Sequence, residues 1–231
     1  MSPEEVVAFL RGEGRTNEEG PPALAFDTNT IFGDNPRSDP GIEVINTVNR
    51  ANAARGEAPP VRLVVPAVVF HEKVRQMIQR RGGKFDASLP LGFVRSNNLE
   101  IEPFEQQHAL AVAKRLHGIY PTRGDWRAFK KRRCLQCLKL SAATATGGDG
   151  HDCGATVDWL IVGHAEAMGY LLVTNDGGPE FVGVALRANL DTVLAAAKAL
   201  LASRGPAETR RRLDTRTDGG VESAAMQLRP G

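Results

Sequence analysis

The sequence predicts an α/β protein of three layers, helices on both faces of a central parallel sheet. Short apolar runs (Ala23 to Phe26, Val61 to Val65, Tyr170 to Thr174) read as buried strands. Between them, apolar residues recur at helical spacing, as in Ile42, Val44, Ile45 and Val48. The two patterns alternate along the chain, and alternation of this kind favours parallel strands joined by crossover helices.

Ser2-Pro3-Glu4-Glu5 has the form of a capping box with proline at the first helical position, which predicts a helix through about Leu10. A polar, Gly-rich linker then ends at Pro21-Pro22. Strand one, Ala23 to Phe26, stops at Asp27 and so delivers a polar residue at its carboxyl end. After a loop with Gly33, Asn35, Pro36 and Pro40, a helix runs up to Gly56 and is broken by Pro59-Pro60. Val61 to Val65 is the second strand. Pro66 opens a helix carrying Val69, Glu72, Val74 and Met77 to Arg81, and Gly82-Gly83 ends it. A loop leads to a third strand, Leu99 to Phe104, and a helix from Gln106 to His117. Gly118 to Gly150 reads as a partly helical insertion. Ala155 to Met168 is a helix capped by Gly169, Tyr170 to Thr174 the fourth strand, and Ala188 to Ala202 an Ala/Leu-rich closing helix. One domain is expected over 1–203, with 204–231 an Arg-rich tail too poor in apolar residues to order itself.

The chain has 231 residues, 42% hydrophobic and 24% charged, with a formal net charge of +2. Bulk charge therefore does not make it a nucleic-acid binder. Its distribution is uneven: Ala113 to Lys139 holds nine Lys or Arg against one acid, Asp125. The start lacks the basic and apolar regions of a signal peptide, and no apolar run reaches the length of a membrane span. Three cysteines are too few, and odd in number, for a disulfide framework. A cytoplasmic location is expected.

The chemistry lies in acids placed at strand ends. From Asp158 to Gly169 a helix descends roughly 17 Å at about 1.5 Å per residue. The following strand climbs about 20 Å back, so Asp176 returns to the level of Asp158. Asp27 follows strand one, and Glu72 sits in the second helical turn after strand two. In a parallel sheet these ends share one edge, where clefts form at the switch in strand order. Four converging carboxylates repel one another, and a hard divalent cation relieves that repulsion. Oxygen donors without histidine favour Mg²⁺ or Mn²⁺, whose natural use is phosphodiester hydrolysis.

These residues resemble the PIN-domain nucleases, and within them the VapC-like toxin ribonucleases. The resemblance rests on Phe26-Asp27-Thr28-Asn29, on Val65-Pro66 leading to Glu72, on Asp158-Trp159-Leu160-Ile161 with Ala165, and on Leu172-Val173-Thr174-Asn175-Asp176. It implies that Asp27, Glu72, Asp158 and Asp176 are an acidic metal-binding quartet, with Asn29 and Thr174 orienting it through hydrogen bonds. It also implies an endoribonuclease, leaving 5′-phosphate and 3′-hydroxyl ends and restrained by an antitoxin protein, with a homodimer as a further expectation. Glu180 is a candidate auxiliary acid.

Other features have their own readings. Trp126, Lys130, Lys131, Arg132 and Arg133 form a candidate RNA-binding segment in which the tryptophan stacks on an unpaired base. Cys134, Cys137, His151 and Cys153 have the local spacing of a Zn²⁺ site, although the first two also share a helix face with Leu138 and Ser141 and could simply pack. His71 and His164 read as packed or surface helical residues rather than bases. Two competing functions remain: a non-catalytic module that binds RNA or a protein, and a phosphatase with Asp27 as nucleophile. The phosphatase is disfavoured because Asn29 stands where its second acid is needed.

Overall fold

Ala23–Phe26 (β1) is sealed from solvent along its whole length, and the rest of the fold is arranged around it. The structure, a computed structural model, describes residues 1–31, 39–54, 59–80, 86–137 and 154–203. Arg62–Pro66 (β2) and Leu171–Val173 (β4) flank β1, Glu100–Glu102 (β3) lies outside β2, and Arg187–Ala188 (β5) lies outside β4. All four pairings are parallel, so the sheet order is β3-β2-β1-β4-β5.

One face of the sheet is covered by Pro3–Arg11 (α1), Pro40–Ala53 (α2) and the C-terminal Leu190–Ala202 (α8). The other is covered by Ala67–Arg80 (α3) and Gly154–Met168 (α7), with Gln106–Ile119 (α5) packed along α7. The expected three-layer α/β/α architecture is thus present. In α8, Leu190, Val193, Ala197 and Leu200 point into the core, and burying each larger side chain stabilises by about 1.5–3 kcal/mol. The capping box of α1 is formed: Ser2 Oγ accepts from the Glu5 amide while the Glu5 carboxylate accepts from the Ser2 amide. Gly12 closes that helix at φ 78°, a left-handed conformation that glycine adopts without a Cβ clash.

Several elements differ from the sequence expectation. Ser88–Ser96 (α4) is a helix where a loop was expected, because Pro90 falls in its first turn, where no intrahelical N–H partner is lost. Arg187–Ala188 joins the sheet as a fifth strand too short to show any period, so the last helix begins at Leu190. Pro66 ends β2 and does not open α3. In agreement with the expectation, the partly helical insertion contains Arg123–Cys137 (α6) as one helix. Residues 138–153 and 204–231 lie outside the described residues, as do the stops at Gly82-Gly83 and Gly56.

The α5/α6 side carries a second, smaller core of Val112, Phe129 and Trp159, with Tyr120 stacked on Phe129 at 4.7 Å between ring centres. Helices α5 and α7 meet closely at Gly163, where a Cβ would lie 2.2 Å from Val112 Cγ2. Beside this contact His108 and His164 stack, ring centres 4.3 Å apart. His164 Nε2 lies 3.4 Å from Glu102 Oε2, and Tyr170 Oη donates to Glu102 Oε1 at 2.9 Å. Arg62 donates to the Tyr170 hydroxyl and to both Glu100 and Glu102, which closes this polar cluster over the edge strand. Burial and the neighbouring His108 push the His164 imidazole down to about 4, so it is neutral at physiological pH. Among the described residues no helix is long and apolar enough to cross a membrane.

Candidate functional site

The chain builds β1, β2 and β3 outward on one side and then returns to place β4 on the other side of β1. The carboxyl ends of β1 and β4 are therefore the topological switch point, the place where parallel α/β sheets open a crevice. Asp27 follows β1 there, and Thr174-Asn175-Asp176 follows β4.

Asp27 is 2% exposed. Its Oδ1 accepts from the Thr28 amide at 2.6 Å, which starts the 3₁₀ turn Thr28–Thr30, and its Oδ2 accepts from the Thr174 hydroxyl at 2.6 Å. The Thr174 hydroxyl oxygen in turn accepts from the Asp176 amide at 3.0 Å. On the other flank, the Thr28 hydroxyl donates to Glu72 Oε2 at 2.6 Å. Two threonines thus link the carboxylates of Asp27 and Glu72 and the main-chain amide of Asp176, from three separate crossovers, into one chain of hydrogen bonds. Burial raises the Asp27 carboxyl to about 6. The hydrogen bonds from Thr174 and Thr28 oppose that rise, and the charges of Asp176 and Glu72 add to it.

Asp158 lies half-buried on α7, in its second turn rather than the first because the helix begins at Gly154. Its neighbours Val157 and Leu160 line a cavity shared with Glu72. Asp176 is exposed and borders a larger, mostly polar cavity of about 550 Å³ that also involves Arg187, Asn189 and Thr192. Of the two expected orienting neighbours, Thr174 bonds the carboxylate directly, whereas Asn29 Oδ1 accepts from the Asn175 amide at 3.4 Å. Glu180 is fully buried, and burial, with the charge of Glu180 adding to it, raises the Tyr120 hydroxyl on the α5 side.

The donors of this edge are all oxygens, the ligand type of a hard divalent cation, with one carboxyl raised by burial and, to a smaller degree, by the charges of Asp176 and Glu72. As they stand, however, the described residues contain no group of three or more His, Cys, Asp or Glu that could hold a metal ion. The side chains of Arg133, Cys134 and Cys137, together with His151 and Cys153, lie outside the described residues, so the Zn²⁺ reading and part of the basic segment do too.

On α6, Lys130, Lys131 and Arg132 are exposed. Trp126 is half-buried and stacks on Phe129 at 5.5 Å, with the Lys130 ammonium 5.7 Å from its ring centre. The ring expected to stack on a base already has partners within the protein. Its spacing with Phe129, three residues along the helix, brings the two rings together.

Sequence reasoning missed three contributors. Thr28 is the link to Glu72, and Thr30 donates to the carbonyl oxygens of Asp27 and Val173, bracing β1 against β4 at the crevice. The signal for Thr30 was its hydroxyl three residues after Asp27, since such residues bond local backbone, whereas the reach of Thr28 to Glu72 has no local signal. Arg115 on α5 donates to Glu166 on α7 and to the carbonyls of Glu180 and Val182, while its guanidinium carbon lies 5.9 Å from the Trp159 ring centre. It ties down the segment that follows Asp176, and nothing local in the sequence marks it.

Compared with known proteins, the chain matches no family model, no curated protein and no solved structure.

Proposed function

We propose that this chain is a PIN-like, divalent-metal-dependent endoribonuclease in which Asp27, Glu72, Asp158 and Asp176 serve the hydrolysis of an RNA phosphodiester bond. One observation carries the reading: the Asp27 and Glu72 carboxylates are linked through Thr28, and Thr174 ties Asp27 to the amide of Asp176, whose charge is felt at Asp27, at the switch point of a parallel sheet. A purely structural carboxylate is seldom buried beside two others, because each charge raises the cost of the next.

Asp27, buried and braced on both oxygens, is the fixed member around which Glu72 and Asp176 are set. When bound, Mg²⁺ or Mn²⁺ would polarise the phosphoryl oxygen and ease deprotonation of the attacking water. With a carboxyl near 6, Asp27 is largely ionised at neutral pH and able to serve as an oxygen ligand. The exposed cations of α6 supply attraction for a polyanion that the acids alone would repel.

The test is Asp27→Asn. Purified wild-type chain is expected to cleave single-stranded RNA with Mn²⁺ or Mg²⁺ and to stop when the metal is chelated, and the variant is expected to lose at least 100-fold, on the order of an essential group's contribution. Undiminished cleavage by the variant ends the reading.

A second reading is suggested by the exposed Asp176 side chain, which joins the hydrogen-bond chain only through its amide: a PIN-like module that binds RNA or a protein without cutting. Calorimetric titration with Mn²⁺ separates the two, since the module binds none. The toxin role, the antitoxin partner and the homodimer rest on the resemblance. A neighbouring gene for a small DNA-binding antidote would support the toxin role.

A further inference from the structure

We propose that the cavity between α3 and α7, beside Glu72, seats one unpaired nucleobase of the RNA strand. The inference rests on the nuclease reading and adds a place for one base of the strand, turned out next to the bond that is cut.

The cavity measures about 390 Å³, at the small end of ligand clefts, which begin at about 300 Å³. Its walls are aliphatic: Ala67 and Val68 from the first turn of α3, Val157 and Leu160 from α7. All four wall residues except Ala67 carry branched side chains, and Val68, Val157 and Leu160 stay half-exposed, so a ligand there would remove apolar surface from water. The rim is polar, with the imidazole of His71, the carboxylate of Glu72 and the guanidinium of Arg75. Glu72 belongs both to this rim and, through Thr28, to the acids at the switch point.

Within a ribonucleotide only the base presents an apolar face. Ribose and phosphate would leave their polar groups without partners against Val68, Val157 and Leu160. The polar cavity on the opposite flank, beside Asp176 and Arg187, has the complementary character and suits backbone. A strand crossing the carboxyl edge thus meets an apolar recess on one side of the acids and a polar one on the other. In a duplex both faces of a base are stacked, so a paired strand cannot fill the recess without unstacking.

Binding is measured by fluorescence anisotropy on the full-length chain in chelator, where metal-dependent cutting is silent. The probes are a short labelled single-stranded RNA, the same strand with one abasic residue moved through every position, and its duplex. The single strand is expected to bind best, and one abasic position to weaken it about tenfold, the scale of one well-buried base. Val68→Trp and Leu160→Phe, which fill the cavity, are expected to weaken the intact strand by a similar factor and to leave the sensitive abasic strand unchanged. Circular dichroism and thermal melting confirm that each variant is folded, and the abasic scan decides alone if neither is.

Equal binding of all abasic strands, equal binding by the folded filled variants, or no RNA binding overturns the proposal. The two readings fail separately. Metal-dependent cutting with base-independent binding removes the recess and keeps the nuclease, whereas base-dependent binding without cutting does the reverse.

Discussion

The Thr174 hydroxyl stands 2.6 Å from Oδ2 of Asp27 and 3.0 Å from the amide nitrogen of Asp176, so one side chain sets the ionisation of the first acid and the position of the third. Its bond to Asp27 favours the charged carboxylate and holds the pKa below what burial alone would give. Thr174→Val keeps the shape and removes the donor. The Asp27 carboxyl is then expected to titrate above about 6, and the acid limb of metal-dependent cleavage to move to higher pH. A rate profile from pH 5 to 8, beside a carbon NMR titration of Asp27, measures the shift. An unmoved titration refutes the coupling.

Asp27 also links pH to stability. Its pKa rises from 3.8 to about 6 on folding, so its contribution is fully present below about 3.8 and is lost as pH rises through about 6. A shift of that size corresponds to about 3 kcal/mol. Asp27→Asn removes the charge but offers a single acceptor oxygen to Thr28 and Thr174. A net gain of about 1–2 kcal/mol at pH 7.5 is expected. Mn²⁺ should raise the melting temperature of the wild type and leave that of the variant unmoved. An equal rise in both would place any bound ion elsewhere.

His164 has the opposite sign. Its pKa falls from 6.5 to about 4 on folding, through burial and the adjacent His108, against the pull of Glu102 and Glu105. Its contribution is present above 6.5 and lost as pH drops towards 4, about 3 kcal/mol in all and about 2 kcal/mol of it by pH 5. Urea unfolding of wild type and His164→Leu at pH 7.5 and pH 5 is expected to show a smaller acid loss in the variant. The same loss in both would mean that other groups control the acid limb.

Two glycines mark places where propensity misleads. Alanine is the better helix former by about 1 kcal/mol, yet a Cβ on Gly41 would lie 1.9 Å from the carbonyl oxygen of Thr30, and one on Gly163 2.2 Å from Val112 Cγ2. Gly163→Ala is expected to cost about 1–3 kcal/mol, because the valine methyl can yield. Gly41→Ala should cost more, because it presses on backbone, and should also disturb Asp27 through the Thr30 turn. Urea midpoints measure both, and a neutral Gly41→Ala contradicts the packing.

The strands that hold the acids were readable because they are continuous apolar runs ending in a polar residue, as Ala23 to Asp27 shows. Helix α4 was hidden by Pro90 and Gly92, and β5 by its two-residue length. Asp27, Glu72, Asp158 and Asp176 could be proposed from strand-end positions. Thr174 could be proposed with them, but the Thr28 link could not, since Thr28 reaches Glu72 across 44 residues of chain and only the fold brings them together. The packing of Trp126 against Phe129 follows from their i, i+3 spacing on α6, which a basic neighbourhood obscures in the sequence.

Arg115 extends the reach of this site beyond its acids. One planar guanidinium spans a helix carboxylate and two loop carbonyls, a task that the short-range, pivoting ammonium of lysine cannot duplicate. Replacing every acid in turn would therefore leave one control untouched. The stretch from Gly177 to Gly183 is moored from the neighbouring helical layer, so a change in α5 can retune a crevice it never borders.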